Sequence, residues 1–183
     1  MKMNGEEIIP APREKVWAAL NDPEVLKQCI PGCESITKTS DTTMEARVVA
    51  KVGPVKAAFN GIVNLSNIDP PNGYRISGEG KGGLAGFASG GADVKLEEVP
   101  EGTKLSYDVD AQVGGKLAML GSRLIDSTAR SMASQFFEKF AVVAAGGKLD
   151  GDSEAETAAA PEDAEEGEDK PKKKGILGMF RKG

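Results

Sequence analysis

Between residues 116 and 145 the apolar residues Ile125, Ala129, Met132, Phe136, Phe140 and Val143 recur at spacings of 4, 3, 4, 4 and 3. That is one continuous stripe on a helix, whose period is 3.6 residues. At 1.5 Å per residue the stretch predicts a rod of roughly 45 Å. Gly146 and Gly147 follow as its C-terminal stop. A helix of that length with a single apolar face needs a surface to lie on. Whatever precedes it must supply that surface.

What precedes it is a run of period-two segments. Glu6–Pro10 alternates weakly and reads as a first strand. Pro12 opens a helix carrying Glu14 in its first turn and Val16, Trp17 and Leu20 on one face. Asn21, Asp22 and Pro23 end it, and 24–28 makes a second short helical turn. Strands are then predicted at 33–39, 43–52, 55–68, 73–80, 88–99 and 103–113. The turns between them hold Ser40-Asp41, Gly53-Pro54, Pro70-Pro71-Asn72-Gly73 and Pro100-Glu101-Gly102, residues that favour tight reversals. Strands joined so closely pair antiparallel. The expected fold is α+β, a curved antiparallel sheet of six or seven strands gripping the long C-terminal helix, with two short helices after the first strand.

Composition excludes several classes of function. The chain of 183 residues has no histidine, so it lacks the commonest general base and metal ligand and every Ser-His-Asp or Cys-His arrangement. Its two cysteines, Cys29 and Cys33, are spaced as neither a redox pair nor half a zinc site and read as idle thiols. No covalent cofactor and no metal are expected. The net charge is −5, but 150–169 holds ten acids and no base while 170–183 holds six bases and no acid. Setting those aside leaves a body of about −1, a poor partner for nucleic acid, whose phosphates supply most of such affinity. No apolar run approaches the ~20 residues of a bilayer span, and Met1–Glu7 has no apolar signal region. The chain reads as cytoplasmic.

The order of elements, the opening Pro12-Arg13-Glu14-Lys15-Val16-Trp17 and the turn Cys29-Ile30-Pro31-Gly32-Cys33-Glu34 resemble the START/Bet v 1-like (SRPBCC, helix-grip) superfamily. Within it, Pro31-Gly32-Cys33-Glu34 followed by Gly82-Gly83-Leu84-Ala85-Gly86-Phe87-Ala88-Ser89-Gly90 is similar to the CoxG family of carbon monoxide dehydrogenase subunits. The resemblance covers residues 1–147. It implies a non-catalytic accessory protein with an apolar cavity between sheet and helix. Its lipophilic ligand would be a respiratory quinone, menaquinone or ubiquinone. Its partner would be a molybdenum carbon monoxide dehydrogenase or a related molybdenum hydroxylase, recruited to the inner face of the cell membrane. The same fold also serves polyketide cyclase/aromatase enzymes and lipid transfer proteins, and these are the alternatives.

Small residues on the helix stripe (Gly121, Ser122, Ala129, Ala133) and in the sheet (Ala46, Ala57, Ala58, Gly61) argue for open space, since a core at normal density would want larger side chains. Phe59, Tyr107, Leu120, Leu124, Met132, Phe136 and Phe140 are the expected cavity residues. Half of the residues in Gly78–Gly91 are glycine. A phosphate loop would have a helix behind it, whereas a strand follows here. The segment is therefore expected to be a wide hairpin at the cavity mouth, with Leu84 and Phe87 as a gate. For catalysis only Asp108 and Asp110 share a strand face, which is also how a solvated strand looks. Tyr74 and Tyr107 are potential donors to a ligand carbonyl.

Residues 148–169 read as an acidic disordered linker, with an r.m.s. span of at least ~25 Å. Residues 170–183 read as a membrane-targeting tail. Wound as a helix, Ile176, Leu177, Met179 and Phe180 fall within roughly 160° of arc, beside Lys172, Lys173, Lys174, Arg181 and Lys182. Near an anionic leaflet each base is worth ~1 kcal/mol, and the apolar side chains add ~1.5–3 kcal/mol apiece before folding costs. Vesicles containing anionic lipid should therefore bind the protein, with affinity falling as salt screens charges beyond a Debye length of ~8 Å. Deleting residues 175–183 should abolish binding at unchanged melting temperature. Equal binding to neutral vesicles would refute the electrostatic half of this account.

Overall fold

A computed structural model describes residues 1–149, and the linker and tail expectations lie outside the described residues. Seven strands form one antiparallel sheet: β1 (Lys2–Ile9), β2 (Cys33–Lys38), β3 (Thr43–Val52), β4 (Val55–Asp69), β5 (Gly73–Lys81), β6 (Phe87–Val99) and β7 (Gly102–Gly114). Their order is β1-β7-β6-β5-β4-β3-β2. Every neighbour from β2 to β7 is a hairpin neighbour, and the N-terminal strand closes the far edge by pairing with β7, Met3 opposite Val109. Two short helices, α1 (Arg13–Leu20) and α2 (Pro23–Cys29), link β1 to β2, and the long helix α3 (Ser122–Ala144) follows β7. The compact unit is Met1–Gly147.

Local chemistry explains the helix starts. Pro12 stands one residue before α1 in extended conformation, φ −61° and ψ 151°. The Asp22 carboxylate accepts from the Glu24 N–H at 2.9 Å and caps α2, with Pro23 in the first turn. The buried Thr103 hydroxyl donates to the Ala11 carbonyl at 2.7 Å, which ties the entry of α1 to β7. Val16 and Leu20 are buried, and half-buried Trp17 packs on Tyr74 with ring centroids 5.3 Å apart.

The long helix is shorter than the stripe predicts. Gly115–Leu120 winds as a 3-10 turn, and Gly121 at φ +91° interrupts the chain before Ser122. The 23 helical residues of α3 span about 35 Å. Tertiary packing does not continue the apolar repeat N-terminal to Ser122, where Met119 and Lys116 point to solvent.

The glycine-rich segment is also corrected. It is a hairpin with Gly78 and Gly80 inside β5 and Gly90 and Gly91 inside β6, as the bounds 73–80 and 88–99 predict, but it is not wide and does not border the cavity. Only 82–86 connects the strands, through the single 3-10 turn Gly83–Ala85. The sheet curves so tightly here that a Cβ at Gly78 would lie 2.7 Å from the Ile62 carbonyl oxygen. Gly78, Gly90 and Gly91 serve close backbone approach within the paired strands, whereas a Cβ at Gly80 would meet only Phe59 Cβ at 4.0 Å.

The main core joins α1, α2 and the C-terminal half of α3 to the sheet, with Ile9, Val16, Leu96, Leu105 and Phe140 its best-buried members. Phe140 is fully buried and its ring stacks on Phe136 at 5.4 Å. Truncating a ring packed on all sides loses transfer energy and leaves a void. Phe140→Ala is therefore expected to destabilise the fold by ~3–5 kcal/mol in denaturant unfolding.

Candidate functional site

The sheet's inner face is set by alternation, and its in-register rows change character along the strands. One row reads Leu65, Ile76, Ala92, Val109, Met3 across β4-β5-β6-β7-β1. Beside it Tyr74, Val94 and Tyr107 form another. In the opposite direction the rows become small: Val63, Gly78, Gly90, Ala111, and then Ala46, Gly61, Gly80, Ala88. Ala46 and Gly61 thus face inward as expected. Ala57 faces inward too, opposite Ala50. Ala58, one residue on, pairs with Val49 and must point to the other face, because neighbouring strand residues alternate.

Helix and sheet together enclose a cavity of about 350 Å³. Its wall has three parts. The sheet supplies the larger rows, with Ile36 and Met44 at one side and Met3 at the other; α1, α2 and the following loop supply Leu20, Leu26 and Ile30; α3 supplies Ala133, Phe136 and Phe137. Among the described residues no carboxylate, ammonium or guanidinium group lines it, and the two tyrosines are its only polar side chains. A fold that leaves such a space has put a small residue where a large one would fill it. Ala92 on the floor and Ala133 on the helix are those residues.

An aromatic chain forms one wall. Phe136 meets Phe137 edge to face at 5.0 Å, and Phe137 stacks on Tyr107 at 5.3 Å with an 18° interplanar angle. Burial raises the pKa of Tyr74, and burial followed by Glu7 raises that of Tyr107, against a smaller opposing pull from Arg130. Both hydroxyls stay protonated and remain hydrogen-bond donors throughout the physiological range.

Of the expected cavity residues, Tyr107 and Phe136 line the space. Phe140 sits one turn further along α3, in the solid core. Met132 is half-buried but off the wall, since Ala133, Phe136 and Phe137 are the α3 residues that face the space. Leu120 and Leu124 fall before and at the start of α3, away from the cavity. Leu124 instead reaches the β3–β4 turn at Gly53. Phe59 packs beside Gly82. Leu84 is 90 % exposed and Phe87 42 %, and neither is on the cavity wall. Gly121 and Ser122 are exposed as well. The omitted wall residue with most weight is Phe137. It lies outside a strict one-stripe reading, yet the doublet Phe136-Phe137 is visible in the sequence as an unusually wide apolar face.

The remaining candidates for chemistry lie off the cavity wall. Asp108 and Asp110 are exposed on the convex face, and the Lys2 ammonium 3.1 Å from Asp110 lowers its pKa. Cys29 and Cys33 are free; burial pushes Cys29 up to about 11, against a small pull from Lys139, and raises Cys33 as well. Neither offers a thiolate near neutral pH. Among the described residues no group of three potential metal ligands forms, and no helix is long and apolar enough to cross a membrane.

A curved antiparallel sheet gripping a long helix over an apolar cavity defines the helix-grip, Bet v 1-like class. The solved structures agree. A conserved protein from Geobacillus kaustophilus matches at a TM-score of 0.75 and 31 % identity, over 80 % of this chain and 96 % of that one. Ara h 8.0201 matches at 0.56 and 17 %, over 80 % and 99 %. A protein of Thermus thermophilus matches at 0.58 and 16 %, over 77 % and 94 %. No curated protein matches the chain by sequence. The model of the CoxG family, the carbon monoxide dehydrogenase subunits of that name, matches residues 5–145, and the chain belongs to that family.

Filling the cavity separates its two roles. Ala133→Leu adds three carbons that find empty space, so at ~0.8 kcal/mol per buried methylene, less ~0.5–1 kcal/mol of rotamer entropy, the fold should gain about 1–2 kcal/mol. Binding of an apolar fluorescent probe should be lost. Phe136→Ala, at the wall, should cost much less than Phe140→Ala. A loss of stability in Ala133→Leu would show that the space is not accessible to a side chain.

Proposed function

We propose that this protein is a non-catalytic carrier that holds a lipophilic ligand, of the menaquinone or ubiquinone class, in the cavity under α3. In doing so it couples a molybdenum carbon monoxide dehydrogenase-type enzyme to the inner face of the cell membrane. The cavity wall carries this reading. Its volume falls within the range of small-molecule sites, about 300–1,000 Å³, and its surface is apolar apart from two tyrosines. A quinone ring offers a flat face and two carbonyl acceptors. The faces of Phe136, Phe137 and Tyr107 suit the ring, each offset stack being worth ~0.5–1.5 kcal/mol beyond burial. The protonated hydroxyls of Tyr74 and Tyr107 suit the carbonyls. An isoprenoid chain matches the methyl-rich floor of Val63, Leu65, Ile76 and Val109.

The same wall argues against a cyclase-like enzyme. Proton transfer needs a group that changes charge near working pH, and the wall has only tyrosines held protonated. Membership of the CoxG family supports the dehydrogenase as partner. The acidic linker and the basic tail would supply reach and membrane attachment.

Protein purified from its native cells should release an isoprenoid quinone on organic extraction, identified by mass spectrometry. Tyr107→Phe should retain the ligand more weakly, and Ala133→Leu should carry none. A phospholipid or sterol in place of the quinone would make this a lipid transfer protein. Turnover of a polyketide substrate would overturn the non-catalytic reading.

A further inference from the structure

Three parts of the chain meet at one end of the sheet: the β3–β4 hairpin, the β5–β6 connection and the 3-10 turn before α3. Lys81 pairs with both Asn60 and Phe87, Phe87 pairs with Gly114, and the Leu124 side chain lies on Gly53. Leu84 at 90 % and Met119 at 85 % are the most exposed large apolar side chains among the described residues. Each sits on a single turn held from behind by a buried neighbour, Ala85 for one and Leu117 for the other. Gly115 lies against Gly86, so the two turns stand side by side. One exposed leucine needs no explanation. Two adjacent apolar tips, each anchored from below, form a convex patch that water does not favour.

The charge around them is one-sided. Residues 46–58, 80–91 and 111–125 contain Arg47, Lys51, Lys56, Lys81, Lys116 and Arg123 and no acid. Arg47 is paired with Glu34; the other five are exposed and take part in none of the ion pairs among the described residues. At the opposite end of the sheet the turns 40–42, 69–72 and 100–101 contribute Asp41, Asp69 and Glu101 and no base. The turns that carry the apolar tips are therefore basic, whereas at the far end the acids share their surface with Arg13, which hydrogen-bonds Asn72 at 2.8 Å.

We propose that this end of the body is a membrane-docking face. Leu84 and Met119 enter the interfacial zone of an anionic bilayer, while Lys51, Lys56, Lys81, Lys116 and Arg123 lie among its headgroups. A protein partner that took these side chains would have to bring its own pockets, because the tips protrude and form no groove for a helix or strand. Protruding apolar side chains ringed by bases are the complement of a negatively charged lipid surface. In this pose the cross-strand row Ala46, Gly61, Gly80, Ala88 lies on the inner face between the tips and the cavity, with the Phe59 ring beside Gly82 on the side of the tips. The proposal rests on the membrane role given above and adds a second contact, made once the tail has brought the body to the bilayer and too weak to hold it there without the tail.

The test uses the full chain with Cys33→Ser and an environment-sensitive fluorophore on Met119→Cys, or on Asp69→Cys at the far end. The probes are vesicles of phosphatidylcholine alone and of phosphatidylcholine with phosphatidylglycerol. The label at 119 should blue-shift on anionic vesicles and the label at 69 should not. Leu84→Asp with Met119→Asp, in unlabelled protein, should weaken partitioning onto these vesicles by about tenfold or more. Circular dichroism of the double variant should match wild type. Vesicle binding with label 119 still in water would mean that the tail alone attaches the protein, which overturns this proposal and spares the membrane role. Absence of any vesicle binding would overturn both. Equal shifts at 119 and 69, or a shift at 119 only when a dehydrogenase is added, would also overturn it, the latter in favour of a protein-docking face.

Discussion

The aromatic chain that joins α3 to the sheet is the contact on which the remaining architecture depends. Phe140 fills the core, Phe136 stacks on it, Phe137 turns edge-on, and Tyr107 of β7 receives Phe137 face to face. The chain runs from solid interior to open space in about one helical turn. Its near end holds the helix on the sheet, and its far end holds the helix away from it. Rings are too broad to let the backbones close, and Ala133 and Ala92 do not fill the gap that results. Stability and cavity thus come from the same few side chains.

The sheet meets this constraint by graded curvature. Large residues occupy the rows under α1, α2 and the C-terminal half of α3, whereas glycine and alanine occupy the rows nearer the 82–86 connection. Strands without side chains on the inner face can coil more tightly, and the coil moves that end of the sheet around the start of α3. Gly86 at φ +113° and Gly121 at φ +91° then turn the chain where an L side chain would be strained. The body is divided accordingly. One end is densely packed and the other is built from short turns with apolar tips, with the cavity between them.

Polar chemistry is kept off this axis. The acids that share a strand face, Asp108 and Asp110, are on the convex side, the thiols are protonated, and the cavity wall carries only two tyrosines. What a wall of this kind can do is hold a hydrophobic molecule, orient it by ring stacking and donate hydrogen bonds to it.

Periodicity alone determined most of the element types and the antiparallel order. A period of two cannot be satisfied by a helix that buries one face, nor the stripe from Ile125 to Val143 by a strand. The residue pairs Ser40-Asp41, Gly53-Pro54 and Pro100-Glu101 likewise admit few conformations other than turns. The small residues announced that space would be left, because their volume is a property of the sequence. Where that space lies was decided only by tertiary structure. Whether Ala57 or Ala58 faces inward depends on register, and whether Leu124 lines a cavity or covers Gly53 depends on where the helix begins. Gly121 sets that start by its backbone angle. In the Gly78–Gly91 run the strands themselves were legible, but pairing between distant segments decided that their connection is as short as 82–86 and lies off the cavity. Phe140 and Phe136 are alike in sequence and four residues apart. Only the packing around them makes one a core residue and the other a wall.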